Sequence, residues 1–167
     1  GFDQTRIPVF MDGIPVSVPF DGLIDLGRIQ TSSISKIQVS KGISSLLLGG
    51  NTMGGAVNII STAPAKRFEF GVKTSTLWNT SASLGSRHDK WYVQLDGSWL
   101  HRNDFRLPSG YVPVTGLQEG DIRHHSRTTD YQFNGKFGFT PKDGDEYMVG
   151  YSRITADKYV PPYLGTN

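Results

Sequence analysis

The chain of 167 residues contains no cysteine, which excludes a disulfide framework and every thiolate metal site and is compatible with the bacterial envelope. Charge is scarce. Only 19% of residues are charged, and 17 basic and 15 acidic side chains lie scattered to give a net charge of +2. No basic stripe points to nucleic acid. No apolar run approaches the roughly 18 residues of a membrane helix, and the residues after Gly1 do not read as a charged-then-apolar leader. A transmembrane β-barrel escapes that test, because its strands alternate lipid-facing and lumen-facing side chains.

Catalytic signatures are also missing. There is no Gly-x-Ser-x-Gly elbow, and Gly49-Gly50-Asn51-Thr52-Met53-Gly54-Gly55 lacks the Lys-Ser/Thr of a phosphate-binding loop. Neither an enzymatic activity nor a cofactor is expected. Of His88, His101, His124 and His125, only the last two adjoin, and neighbours on an extended chain face opposite ways, so no metal site is expected. Asn79-Thr80-Ser81 fits a glycosylation acceptor only by chance-level pattern.

What the sequence does have is 20 glycines, 9 prolines and 11% aromatics, a mixture that favours strands and turns. Residues 1–65 read as a small mixed domain, mostly β. Ile7 to Met11 and Ile14 to Val18 flank Asp12-Gly13, a dipeptide suited to a hairpin turn. Ile37 and Val39 alternate with polar residues before Gly42, and Ala56 to Ile60 form a short apolar run after Gly54-Gly55.

From residue 66 onward the period is two. Phe68, Phe70, Val72, Thr74, Thr76 and Trp78 share one face of a first strand, and Thr80 to Ser86 form a weaker second. The third sets Trp91, Val93, Leu95, Gly97 and Trp99 against Tyr92, Gln94, Asp96 and Ser98. The fourth sets Tyr131, Phe133, Gly135, Phe137 and Phe139 against Asp130, Gln132, Asn134 and Lys136, and the fifth offers Tyr147, Val149 and Tyr151.

A soluble sandwich also alternates, but three features favour a membrane barrel. Aromatics collect at strand ends, as in interfacial girdles. Trp91 and Trp99 lie about 26 Å apart along an extended strand, or roughly 20 Å of height at a tilt of about 40°, near the apolar band of about 25 Å. Connections alternate in length: residues 87–90 and 141–145 are tight turns, whereas Asn103 to Arg127 is a loop of about 25 residues. Strand three then rises from the periplasm and strand four descends. Trp78 and Trp99 fall to an outer girdle, and Phe68, Trp91, Phe139 and Tyr147 to an inner one.

Four ordered motifs, Val9-Phe10-Met11-Asp12-Gly13-Ile14-Pro15-Val16, Ile37-Gln38-Val39-Ser40-Lys41-Gly42, Ser45-Leu46-Leu47-Leu48-Gly49 and Gly54-Gly55-Ala56-Val57-Asn58-Ile59-Ile60-Ser61, resemble the plug of TonB-dependent receptors. Asp12, Gly13, Lys41, Gly42, Gly49, Gly54, Gly55 and Asn58 carry the likeness. The sequence departs from the family at Ser35-Lys36, where a Glu-Arg pair is usual, at Lys41 for arginine, Ile43 for proline and Leu48 for tyrosine.

The resemblance implies the carboxy-terminal part of a plug over residues 1–65, and about the first five strands of a roughly 22-stranded plugged barrel over residues 66–167. It also implies a bacterial outer-membrane receptor with three partners: membrane lipid, a TonB energy-coupling complex whose contact segment lies outside this chain, and a scarce nutrient, foremost a ferric siderophore. By the same resemblance ligand contacts fall at Ser17, Val18, Pro19, Phe20, Thr31 and Ser32. Phe105, Arg106, Tyr111 and Arg123 in the long loop suit an anionic aromatic ligand or a loop packed on itself. The competing expectation is a soluble β-rich carbohydrate-binding module, which requires the aromatic face to be buried within the chain.

Overall fold

A computed structural model describes residues 7–16, 20, 24, 26, 29, 31–42, 54–75, 78–111 and 120–160. Two sheets account for nearly all of the regular structure. In the first, β1 (Val9–Met11), β2 (Ile14–Pro15), β3 (Ile34–Lys41) and β4 (Gly55–Ser61) lie in the order β2-β1-β4-β3, with β1 parallel to β4 and the other pairs antiparallel. The hairpin between β1 and β2 turns on Asp12 and Gly13 at φ 50° and 81°. Both angles are left-handed, as a two-residue hairpin requires, and glycine meets that demand without a steric penalty. Val9, Phe10, Ala56 and Ile59 form the buried core of this sheet.

The second sheet runs β5 (Glu69–Ser75), β6 (Asn79–Arg87), β7 (Trp91–Arg102), β10 (Thr128–Phe139) and β11 (Tyr147–Lys158), every neighbour antiparallel. Its register is unbroken across all four ladders. Phe139 is therefore level with Trp91 on one side and Tyr147 on the other, and Phe137 with Val93 and Val149. Leu95 pairs with Leu84, and Leu84 with Phe70. One face thus carries Phe70, Val72, Leu84, Trp91, Leu95, Trp99, Tyr131, Phe133, Phe137, Phe139, Tyr147 and Val149, and all of them are exposed. The opposite face carries Tyr92, Gln94 and Asp96, buried against the first sheet and its linker. A soluble module would bury the aromatic face; this chain exposes it and buries the polar one.

Three sequence expectations need adjustment. The first long strand stops at Ser75, and Trp78 lies beyond it at φ 54° with its carbonyl accepting the His101 N–H at 3.0 Å. The hairpin needs a left-handed residue there, so Trp78 belongs to a turn near Trp99 instead of to the strand; Thr76 lies outside the described residues. The fifth strand continues to Lys158, since β10 offers hydrogen-bonding partners along its whole length.

The connection from Asn103 to Arg127 also has structure of its own, because β8 (Phe105–Arg106) pairs with β9 (Ile122–Arg123). Asp104 ties its stem: Oδ1 accepts the N–H groups of Ser126 and Arg127, each at 2.8 Å. Arg127 Nη2 donates to Tyr159 Oη at 2.5 Å, with its guanidinium 4.1 Å from that ring's centre.

The Asp104 carboxyl is held below the usual aspartate range, first by the Ser126 N–H, against a smaller opposing effect of burial, and then by the Arg127 N–H and the Ser126 hydroxyl. A depressed value in the folded state means that its contribution is complete above the ordinary aspartate pKa of about 3.9 and fades as pH falls through the depressed value. Amide exchange at Ser126 and Arg127, corrected for its intrinsic pH dependence, should therefore accelerate below about pH 4. In Asp104→Ala it should already be fast at neutral pH. A protection profile that is flat down to pH 2 in the unaltered chain would show that the carboxylate does not hold the stem.

Candidate functional site

The site lies where the two sheets meet. Its amino-terminal half is built around the Asp12-Gly13 turn, which β4 grips from below: the Asp12 N–H donates to the Ile59 carbonyl at 2.9 Å and the Gly13 N–H to Asn58 Oδ1 at 3.1 Å. The Asp12 carboxylate in turn accepts the Ser61 N–H at 2.9 Å and the Ser61 hydroxyl at 2.5 Å. Three residues of the sequence motifs, Asp12, Gly13 and Asn58, thus converge although 45 positions separate the last two. Gly55 begins β4 at φ 123° and Gly42 follows β3 at φ 79°, with Lys41 and Gly42 both exposed. Gly54 lies just before β4, and Gly49 lies outside the described residues.

The other half comes from the polar face of the second sheet. Lys136 Nζ reaches across to Ser61, 2.7 Å from Oγ and 3.5 Å from the carbonyl oxygen. The Ser61 hydroxyl donates to Asp12, so its lone pair is available to accept from the ammonium, and a polarised chain runs from lysine through serine to aspartate. Gln94 Nε2 donates to Asp96 Oδ1 at 2.9 Å beside it. Tyr92, 1% exposed, donates its hydroxyl to Glu146 at 2.5 Å and lies beneath the Arg87 guanidinium at 4.6 Å. A cavity of about 250 Å³ remains between the sheets, lined by Met11, Asp12, Ile14 and Ser61 on one side and by Asp96, Asn134, Lys136 and Met148 on the other.

The linker joining the sheets is seated tightly. Pro64 is buried over Gly85, where an added Cβ would come within 2.7 Å of the proline ring. Arg87 Nε donates to the Pro64 carbonyl at 2.6 Å, and Glu69 Oε1 accepts the N–H groups of Ala65 and Lys66 at 3.0 and 2.8 Å.

Three of the six residues expected to touch ligand lie within the described residues. Phe20 is 97% exposed, Thr31 and Ser32 belong to a single 3-10 turn packed against β7, and Ser17, Val18 and Pro19 lie outside the described residues. In the long loop Phe105 and Tyr111 are exposed and Arg106 Nε lies 3.4 Å from Asp121 Oδ2. His88 stacks on Trp91, and His101 bonds Thr129 and Asn103. In the sequence Lys136 is one polar residue of an alternating strand, and nothing local marks Ser61, Arg87 or Tyr92 as site residues. The available signal was a lone lysine set among Gln132, Asn134 and Gly138 on the inward face.

Gly138 leaves room for the Tyr92 ring, which would collide with any added Cβ. Gly138→Val should therefore displace that ring and destabilise the folded protein by about 1–3 kcal/mol, as overpacking does, seen as a lower urea midpoint. Gly97→Ala, on the opposite face, adds a Cβ that meets nothing closer than 4.0 Å at a residue whose φ is not left-handed, and serves as the control. Equal midpoints for Gly138→Val and the unaltered chain would mean that the ring does not sit there.

Residues 1–56 match the family described as TonB-dependent Receptor Plug Domain. No curated protein matches the chain significantly. Among solved structures, the FrpB iron transporter from Neisseria meningitidis (F5-1 variant) superposes with a TM-score of 0.68 at 15% identity, over 91% of this chain and 24% of its own. The copper transporter OprC gives 0.66 at 15% identity, over 93% and 24%. The siderophore receptor PirA from Acinetobacter baumannii gives 0.64 at 14% identity, over 96% and 25%. The chain thus spans about a quarter of the length of the receptors it resembles. Residues 1–56 thus match the plug family of TonB-dependent receptors, and the chain as a whole has the fold of such a receptor's plug followed by strands of its β-barrel.

Proposed function

We propose that this chain belongs to an outer-membrane transporter that binds a scarce nutrient outside the cell, foremost a ferric siderophore, and admits it when energised TonB remodels the plug. The observation that carries this reading is the orientation of the second sheet, whose apolar face turns away from the plug while its polar face receives it. An aromatic face five strands wide suits lipid and makes a poor surface for water. Phe68, Trp91, Phe139 and Tyr147 then form the girdle at the periplasmic interface, and Trp78 and Trp99 the outer one. We place the plug in residues 1–65 and the barrel strands in residues 66–167.

Within the described sheet β5 and β11 each have a neighbour on one side only. In lipid such edges would leave backbone groups unsatisfied at several kcal/mol each, so further strands must close the wall. Binding energy alone shifts an equilibrium by differential affinity and cannot drive uptake against a gradient. Coupling to the inner-membrane proton gradient through TonB supplies that drive. The iron chelate is favoured as cargo because relatives of the same fold include an iron transporter and a siderophore receptor.

Cells carrying the complete receptor should accumulate radiolabelled ferric siderophore, and an uncoupler should abolish the accumulation. Uptake that ignores the uncoupler, or absence of uptake for every iron chelate offered, would overturn the transporter reading or its cargo respectively. Independently, Leu95→Arg should cost about 2–4 kcal/mol if that position faces the bilayer core, and the heat-modifiable, folded receptor should fall in outer-membrane fractions. Unchanged folded receptor would mean that Leu95 does not face lipid.

A further inference from the structure

Among the described residues the plug meets the wall at the linker, at Lys136 and where the 3-10 turn Thr31–Ser33 packs against β7; the first two differ in kind. At the linker the contact is dense, and backbone groups of residues 64–67 supply one partner of every bond. Besides the seat of Pro64 over Gly85 and the bond from Arg87 Nε, the Arg87 N–H donates to the Lys66 carbonyl at 3.1 Å and Ser86 Oγ to the Arg67 carbonyl at 2.8 Å. Glu69 closes the loop on itself by accepting two linker N–H groups. A proline packed on a glycine and flanked by five hydrogen bonds must lose several contacts together before it can let go.

At Lys136 the contact is a single ammonium on a flexible four-carbon stem, touching Ser61 beside a cavity of about 250 Å³. That volume exceeds the roughly 30 Å³ share of one water, so water can replace Ser61 around the ammonium as the contact opens. Asp96 and Asn134 of the wall line the same cavity, and Lys136 Nζ lies 5.7 Å from the centre of the Tyr92 ring. Lys136 therefore keeps polar and aromatic neighbours on the wall after it releases the plug, which lowers the cost of separation.

We propose that the linker is the fixed attachment of the plug and the Lys136–Ser61–Asp12 chain the breakable one, so that the plug sheet leaves the wall by losing this chain while residues 62–69 stay in place. The purpose of such a device rests on the transporter reading; its geometry does not. Because Ser61 sits at the end of β4 and Asp12 at the β1–β2 turn, one hydroxyl couples the wall to two parts of the plug sheet. Lys136 is a positioning residue in this scheme, seating the plug through Ser61.

Hydrogen exchange read by mass spectrometry on the complete, ligand-free receptor in lipid nanodiscs tests it. Lys136→Met should accelerate exchange in residues 9–16 and 55–61 by about tenfold, the value of one charge-assisted hydrogen bond, and leave residues 64–69 and 85–88 at their original rates. Lys136→Arg should restore protection. Ser61→Ala should match Lys136→Met, and the double variant should be no faster than either, because both remove the same chain. Gly85→Leu should reverse the pattern by expelling Pro64 and exposing the linker first; Arg87→Ala probes the same attachment should that variant fail to assemble. Unchanged exchange at 55–61 in Lys136→Met, or equal loosening of plug and linker, overturns the proposal. The readout needs no transport, so a receptor that shows this pattern but no energised uptake supports the latch and counts only against the transporter reading.

Discussion

The ladder between β7 and β10 is the constraint on which the rest depends. Twelve residues of each strand pair without a bulge, from Trp91 opposite Phe139 to Arg102 opposite Thr128. Side chains alternate along both strands, so this register sends Trp91, Leu95, Phe133 and Phe137 to one side and Tyr92, Gln94, Asp96 and Lys136 to the other. A slip of one residue in either strand would carry its entire apolar set to the plug side. The aromatic face would then turn toward the plug, and Lys136 could not meet Ser61.

The same alternation explains why small residues stand where they do. Gly85 and Gly138 both lie on the inward face, one making room for Pro64 of the linker and the other for the ring of Tyr92. The plug approaches through these gaps, and polar side chains supply the attachments between them. Burying Tyr92 on that side is tolerable because its hydroxyl has Glu146 and its ring has Arg87, which satisfies the one polar atom that burial strips of water.

Much of this was legible in the sequence because it is local. Asp12-Gly13 specifies its turn through the φ angles those two residues accept, and the period of two in Tyr131 to Phe139 specifies which side each residue faces. Trp78 misled because alternation continued by composition past the point where the chain had to turn; only the pairing with β6 ends the strand at Ser75. The β8–β9 pair was hidden because two residues on each side carry no periodic signal. Lys136 and Ser61 are 75 positions apart, and nothing local in either marks the other. Such contacts become visible only once the register of β10 and the path of the linker are both fixed.

The most direct measurement places single cysteines in the membrane-embedded receptor at Leu95, Phe133 and Phe137 on one face and at Gln94, Ser98 and Gln132 on the other, each carrying a fluorophore. Brominated lipid should quench the first three, whereas a water-soluble quencher should leave them untouched. The second three should be insensitive to lipid. If the Leu95→Cys and Phe137→Cys labels respond to the aqueous quencher and the Gln94→Cys and Gln132→Cys labels to lipid, or if both sets respond alike, the wall is not oriented as described and the plug cannot lie within it.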